Sequence, residues 1–226
     1  MAESRRKPPA GAAVLRPELT SSIRDAVLAE LAECGYARLS MEGVARRAGV
    51  GKSALYRRWP SKQEMVVAAV AELSVPMAKV PGTGSLRGDV LAVLRAVAEW
   101  LAEPRIGGIL SDLVAEAGRT PALARALAVS VGDPRRAHGA ALLERAVERG
   151  ELAADVDREL ALDLLGALVY WRMVVRRAPV EEGYFERAAD AVLRALGAVP
   201  AGAAADPPET APSRFGDGTS PDDLSL

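Results

Sequence analysis

VARRAGVGKSALYRRWPSKQEMV, residues 44–66, is the stretch whose reading decides the fold. Ser40 precedes a short segment in which Val44, Ala45 and Ala48 share one helical face while Arg46 and Arg47 point away, and Gly49 marks its C-terminal stop. A second short helix is expected from about Lys52, because Leu55 and Trp59 fall four apart on one side. Lys52, Ser53, Ala54, Arg57 and Arg58 occupy its remaining faces, and Pro60 ends it. Ser61 with Glu64 three residues later is a capping box opening another helix. Two short helices joined by Gly49-Val50-Gly51 make a helix-turn-helix.

The residue types explain what such a unit could touch. A helix entering a duplex groove needs a slim leading end, and Ser53 and Ala54 are small. Tyr56, Lys62 and nearby backbone amides suit phosphates on either side, and the helix opening at Ser61 directs free N–H groups toward an anion. Val44, Leu55 and Trp59 are expected in the core. The predicted DNA contacts are Lys52, Ser53, Ala54, Tyr56, Arg57 and Lys62, with Arg46 and Arg47 balanced between phosphate contact and a solvated face.

Working outward, TSSIRDAVLAELAECGY is amphipathic, with Ile23, Val27, Leu28 and Leu31 on one face and Gly35 ending it. Residues 1–60 hold eleven cations against six acids, a balance of +5 in a chain whose net charge is -1. A basic front on a mildly acidic body implies a polyanionic partner for the front alone. Residues 1–16, with Arg5, Arg6 and Lys7 beside two prolines, read as a disordered basic arm that either reaches a minor groove or only adds nonspecific attraction. Residues 200–226, with five prolines, read as a disordered tail.

Beyond Ser61 the pattern is helical throughout, with helices expected near 62–77, 86–103, 105–118, 121–131, 134–149, 158–177 and 182–197. Ser85, Thr120 and Asp133 mark starts, and the pair around Pro134 could be one long helix kinked there. The helix at 158–177 is apolar nearly all round: Leu160, Leu164, Leu168 and Trp171 form one stripe, Leu162, Leu165, Val169 and Met173 another. One stripe would face the chain's own core and the other a second copy, with Gly166 allowing close approach and Ala188, Val192 and Leu196 joining from the last helix.

The sequence argues against other classes. GVGKS invites a phosphate-loop reading, yet the glycine that loop needs five residues ahead of Gly51 is Arg46, and residues 41–48 read as helix rather than strand. His138, the lone histidine, is expected on a solvated face beside Arg135 and Arg136, and Cys34 has no partner for a disulfide or metal site. No enzyme, metal or cofactor is therefore expected. LALDLLGALVYWRMVV, residues 160–175, is interrupted by Asp163 and Arg172 and too short to span a bilayer; with a single cysteine and no secretion signal, a cytoplasmic location without membrane contact is expected.

From about Thr20 to Val70, and above all in VARRAGVGKSALYRRWPSKQEMV, with its AGV, LY and P-S-K elements in order, the chain resembles the TetR family of bacterial transcriptional regulators. RGELAADVDRELALDLLGALVYWRMVV, residues 149–175, is similar to the C-terminal half of one subgroup. The sequence departs from the family pattern at Gly51, where many members place a capping serine, at Gly43, where a helix former is usual, and at Trp59, where phenylalanine is commoner. The resemblance implies an all-α chain: a three-helix DNA-binding domain at 17–61 and a ligand-binding and dimerisation bundle at 62–199. It also implies a homodimer on an inverted-repeat operator of double-stranded DNA, released by a small apolar or amphipathic effector. An activator or a constitutive dimeric regulator without an effector is the alternative. Trp100, Leu110, Leu113, Leu142 and Trp171 are plausible pocket residues, each with an even better claim as ordinary core.

Overall fold

A computed structural model of the chain describes residues 17–79 and 82–199; the basic arm at 1–16 and the tail at 200–226 lie outside the described residues. Within these residues ten α-helices run in order: α1 (Pro17–Arg38), α2 (Met41–Arg47), α3 (Lys52–Tyr56), α4 (Lys62–Ser74), α5 (Leu86–Ala102), α6 (Ile106–Ala117), α7 (Pro121–Leu127), α8 (Asp133–Glu148), α9 (Arg158–Tyr170) and α10 (Tyr184–Ala195). Among the described residues there is no strand.

The first core forms where the apolar faces of the short helices converge. Ile23, Val27, Leu28 and Leu31 of α1 bury against Val44 of α2, Leu55 of α3 and Met65, Val66 and Val70 of α4. Leu55 is fully buried, and its truncation to alanine would cost about 2–5 kcal/mol, enough to unseat α3. The core continues into the body through Ile109 and Leu113 of α6 and Leu123 of α7, which pack on α1 and α4. A second core joins α5, α8, α9 and α10 around Leu94, Leu143, Ala161, Val169 and Val192.

Gly35 breaks α1 at φ 73°, ψ 170°, a conformation open to glycine, and the chain turns again toward Arg38. A carboxylate from α6 uses the break: Asp112 Oδ2 accepts from the Tyr36 amide at 2.6 Å, and a Cβ on residue 35 would lie only 2.9 Å from Asp112 Oδ1. This tie fastens the N-terminal unit to the body.

The segment around Pro134 is one continuous rod. A π-helical turn over Ala128–Gly132 leads from α7 into α8, so the helix shifts its hydrogen-bond register just before the residue that lacks an N–H. A second π turn, Trp171–Val175, extends α9. Ser85 caps α5 as expected, accepting from the Gly88 amide at 3.1 Å, whereas the Thr120 hydroxyl bonds back to Glu116.

A buried polar clasp has no counterpart in the sequence reading. The Glu151 carboxylate accepts from the Leu86 amide at 2.9 and 3.0 Å, satisfying an orphan donor at the start of α5, and from Arg149 Nε at 2.7 Å. Arg149 also reaches Asp89, which takes the Thr83 amide and hydroxyl. The clasp ties the α8–α9 connection to the foot of α5.

Gly43, at a position where a helix former is usual, has a steric reason. It is buried, and a Cβ there would stand 3.1 Å from Glu30 Oε2 and 3.2 Å from the capping Ser40 hydroxyl.

Candidate nucleic-acid interface

The recognition unit is built from the turn outward. Gly49 adopts φ 66°, and the amides of Gly49 and Val50 return to Arg46 and Ala45, closing α2 and redirecting the chain. Gly51 heads α3 without a side-chain cap. Leu55 and the half-buried Trp59 plug α3 onto the first core, which leaves Lys52, Ser53, Tyr56 and Arg57 exposed along the opposite flank with Ala54 half-buried between them. Ser61 then caps α4: its hydroxyl accepts from the Glu64 amide at 3.2 Å and donates to the Glu64 carboxylate at 3.1 Å.

The cations of this face differ in what holds them. Arg57 and Arg46 stand in solvent with no acid or carbonyl partner among the described residues. Lys52 pairs with Glu42 at 3.0 Å, both groups largely exposed, and the ammonium keeps the Glu42 carboxyl below its usual range. Such an open pair is easily exchanged for a phosphate. Arg47 is different: its guanidinium lies between Glu30, at 2.8 Å, and Glu33, which together hold it above its ordinary value. Of the two arginines left balanced by the sequence, Arg46 is open and Arg47 is bound within the domain.

Lys62 is placed differently from the sequence expectation. Its Nζ turns inward, donating to the Tyr36 carbonyl at 3.0 Å and the Ala37 carbonyl at 3.4 Å, and it lies 4.4 Å from the centre of the Tyr36 ring. Burial, with a smaller push from Glu116, raises the Tyr36 phenol, so the ring remains neutral beneath the ammonium. Lys62 thus joins the start of α4 to the end of α1. Sequence spacing could show a lysine beside a cap; it could not show that the last two carbonyls before Arg38, left open where α1 ends, lie within its reach.

Other expectations are revised by burial. His138 is half-buried in the body, with Nδ1 enclosed and unpartnered, and lines a cavity of about 140 Å³ between α5, α8 and α9 together with Leu142. Trp100, Leu110 and Leu113 border a much smaller void beside α1 and α4, while Trp171 is 59 % exposed. On α9, Leu165 and Val169 face the protomer's own core and Leu160 and Trp171 face outward. Ala188 and Val192 of α10 are buried in that same core, so they are spent inside the protomer rather than offered to a second copy.

Among the described residues no helix is long and apolar enough to cross a membrane, and no group of three or more metal-ligating side chains comes together.

Two family models match the chain: "Bacterial regulatory proteins, tetR family" over residues 23–69, and "Tetracyclin repressor-like, C-terminal domain" over residues 80–192. A DNA-binding transcriptional repressor TetR of Mycobacteroides abscessus is 34% identical over 189 residues, covering 82% of this chain and 92% of that protein. The chain belongs to the TetR family. An uncharacterized HTH-type transcriptional regulator of Mycobacterium tuberculosis is 33% identical over 167 residues, covering 74% of this TetR family chain and 82% of its relative. Among solved structures, the TetR family transcription regulator SCO0332 superposes with a TM-score of 0.64 at 32% identity, over 78% of this chain and 97% of that one. The flavonoid-responsive regulator FrrA shares the fold, with a TM-score of 0.63 at 22% identity over 80% and 96% of the two chains. This TetR family member is a DNA-binding transcriptional regulator, and the helix-turn-helix at α2 and α3 is its DNA-binding unit.

Proposed function

We propose that the protein is a homodimeric repressor that binds an inverted-repeat operator and is released by a small molecule entering the helical body. The observation that carries the DNA half is the exposed flank of α3. Lys52, Ser53, Ala54, Tyr56 and Arg57 line one side of a helix whose other side is locked by Leu55. Ser53 and Ala54 approach base edges, Arg57 reads or brackets them, and Lys52, Tyr56 and Arg46 hold phosphates. Lys62 joins this set as a positioning residue, because its ammonium is committed to the α1 carbonyls.

Dimerisation is supported by the outward face of α9, where Leu160 is 51 % exposed and Trp171 59 %, with the half-buried Leu164 and Leu168 between them. A large apolar stripe left in water on a packed bundle favours a second copy. Two recognition helices would then enter successive major grooves about 34 Å apart, which requires an inverted repeat. The repressor direction follows the named repressor relative, and release by a small molecule follows the cavity lined by His138 and Leu142.

The experiment is footprinting on the intergenic DNA beside the gene, paired with sedimentation of the wild type and Trp171→Glu. A protected inverted repeat and a dimer weakened by the substitution are expected. A monomer at micromolar concentration, or equal affinity for palindromic and scrambled duplexes, would overturn the proposal.

A further inference from the structure

We infer that the cavity between α5, α8 and α9 is a site for a small amphipathic carboxylate, its acid group seated on Arg135 beside His138 and its apolar body against Val93, Val97, Leu142 and Leu165. The inference deepens the ligand-responsive reading and rests on it for any consequence at the DNA.

The chemistry starts from an unbalanced charge. The body holds most of its arginines against acids: Arg87 with Asp190, Arg95 with Glu186, Arg136 with Asp163 and Glu159, Arg172 with Glu181. Arg135 has none among the described residues. Its Nη1 donates to the Ser74 carbonyl at 2.6 Å, and its Cζ lies 4.7 Å from the centre of the Trp100 ring. Burial alone lowers its proton affinity, as expected of a cation taken from water without a counter-charge. A buried cation without an anion is costly to keep, and an incoming monoanion offsets that cost.

The second group is on the same face of α8. His138 follows Arg135 by three residues, which places the two side chains as neighbours along the helix. Its Nδ1 is buried and makes no hydrogen bond. A carboxylate in the cavity accepts from the free guanidinium edge, with the His138 imidazole in the wall beside it. The neighbouring Arg136, already neutralised by Asp163 and Glu159, adds little net charge to the wall.

Size fixes the remainder of the ligand. About 140 Å³ is close to an apolar cavity known to hold one benzene ring, roughly 150 Å³. Gly166 borders this space, with nothing within 4 Å of a Cβ built on it, so the wall opens there. The fit is to an aromatic or short aliphatic monocarboxylate. Since Arg135 also holds the last carbonyl of α4 through Ser74, an acid that draws the guanidinium acts directly on the helix leading back to the DNA-binding unit.

The test is calorimetric titration of the full chain with 3-phenylpropanoate, octanoate and the corresponding amides, on the wild type and Arg135→Gln. At least one acid should bind the wild type roughly tenfold or more tighter than its amide, the strength of a charge-assisted pair. In Arg135→Gln that preference should fall to within about twofold, as loss of the charge requires. Amides binding the wild type as well as the acids, or no acid binding at several millimolar, overturns the inference; neither result needs a variant. Acid binding that depends on Arg135 but leaves duplex DNA bound keeps this site and defeats the ligand-responsive reading. Release of DNA by a neutral compound, equally in wild type and Arg135→Gln, keeps that reading and overturns this site.

Discussion

Lys62→Ala separates two roles that a lysine at the start of α4 could play. In the structure its ammonium gives one good hydrogen bond at 3.0 Å and one long one at 3.4 Å to the carbonyls of Tyr36 and Ala37, and a cation–π contact at 4.4 Å. The good bond is worth about 1.5 kcal/mol at the low end for a charged donor, and the ring contact at this half-buried site about 0.5–1 kcal/mol. With side-chain entropy returned on truncation, the net loss is about 1–2 kcal/mol, or roughly 2–8 °C in Tm for a chain of this size. The assay has two readouts. Thermal unfolding followed by circular dichroism should show that drop, and fluorescence anisotropy against a generic duplex from low to moderate salt should show an unchanged slope of log affinity. Arg46→Ala is the control with the opposite signature: an unchanged Tm and a slope shallower by about 0.9 per protomer, the loss of one phosphate contact. A Lys62→Ala variant with full stability and a slope reduced like that of Arg46→Ala would refute the reasoning and return Lys62 to the phosphate.

Glu42→Gln should tighten binding to any duplex and steepen its salt dependence, since Lys52 loses its carboxylate partner at 3.0 Å; an unchanged slope in the same anisotropy titration would show that Lys52 does not face DNA. Because the Glu42 carboxyl is held below its usual range, the pair persists at neutral pH and dissolves as pH falls through that lowered value, so the wild type and Glu42→Gln should converge in acid. Glu151→Ala leaves the Leu86 amide orphaned and Arg149 half-paired in a buried setting; a loss of about 3 kcal/mol, some 6–12 °C in Tm, is expected by calorimetry. Gly139→Ala and Gly166→Ala should move Tm in opposite directions. A Cβ at 139 would press to 2.7 Å on Leu162, whereas at 166 it meets open space and adds helix propensity of up to about 1 kcal/mol.

The recognition unit was legible because each signal in it is local. Ser40, Gly49, Pro60 and Ser61 punctuate the chain within a turn of the positions they control, and Leu55 with Trp59 reveals its inward face by spacing alone. The continuous rod across Pro134 was legible as one of two possibilities; the π turn that permits it leaves no mark in residue type. What the sequence hid depends on contacts between distant positions. Asp112 meets Tyr36 across 76 residues, Glu151 meets Leu86 across 65, and Arg135 meets Ser74 across 61. His138 read as a surface residue because its arginine neighbours look solvated, yet Arg135 is the one that burial turns inward. The assignment of Ala188 and Val192 failed for a related reason: a small apolar stripe suits a protomer's own core as well as a partner, and α5 had already taken it.

The way cations are committed in the described part of the head has a consequence for how the protein searches a genome. Arg24 is held by Glu72, Arg38 by the Cys34 carbonyl and Arg47 by two glutamates, which leaves Arg46, Arg57 and Arg58 without an acid or carbonyl partner among the described residues and Lys52 in an open pair with Glu42. Each charge so withheld weakens the hold on random sequence, where the backbone supplies nearly all the attraction. Competing sites then sequester few molecules, and discrimination falls to the small Ser53 and Ala54 surface that must fit its bases closely to be retained at all.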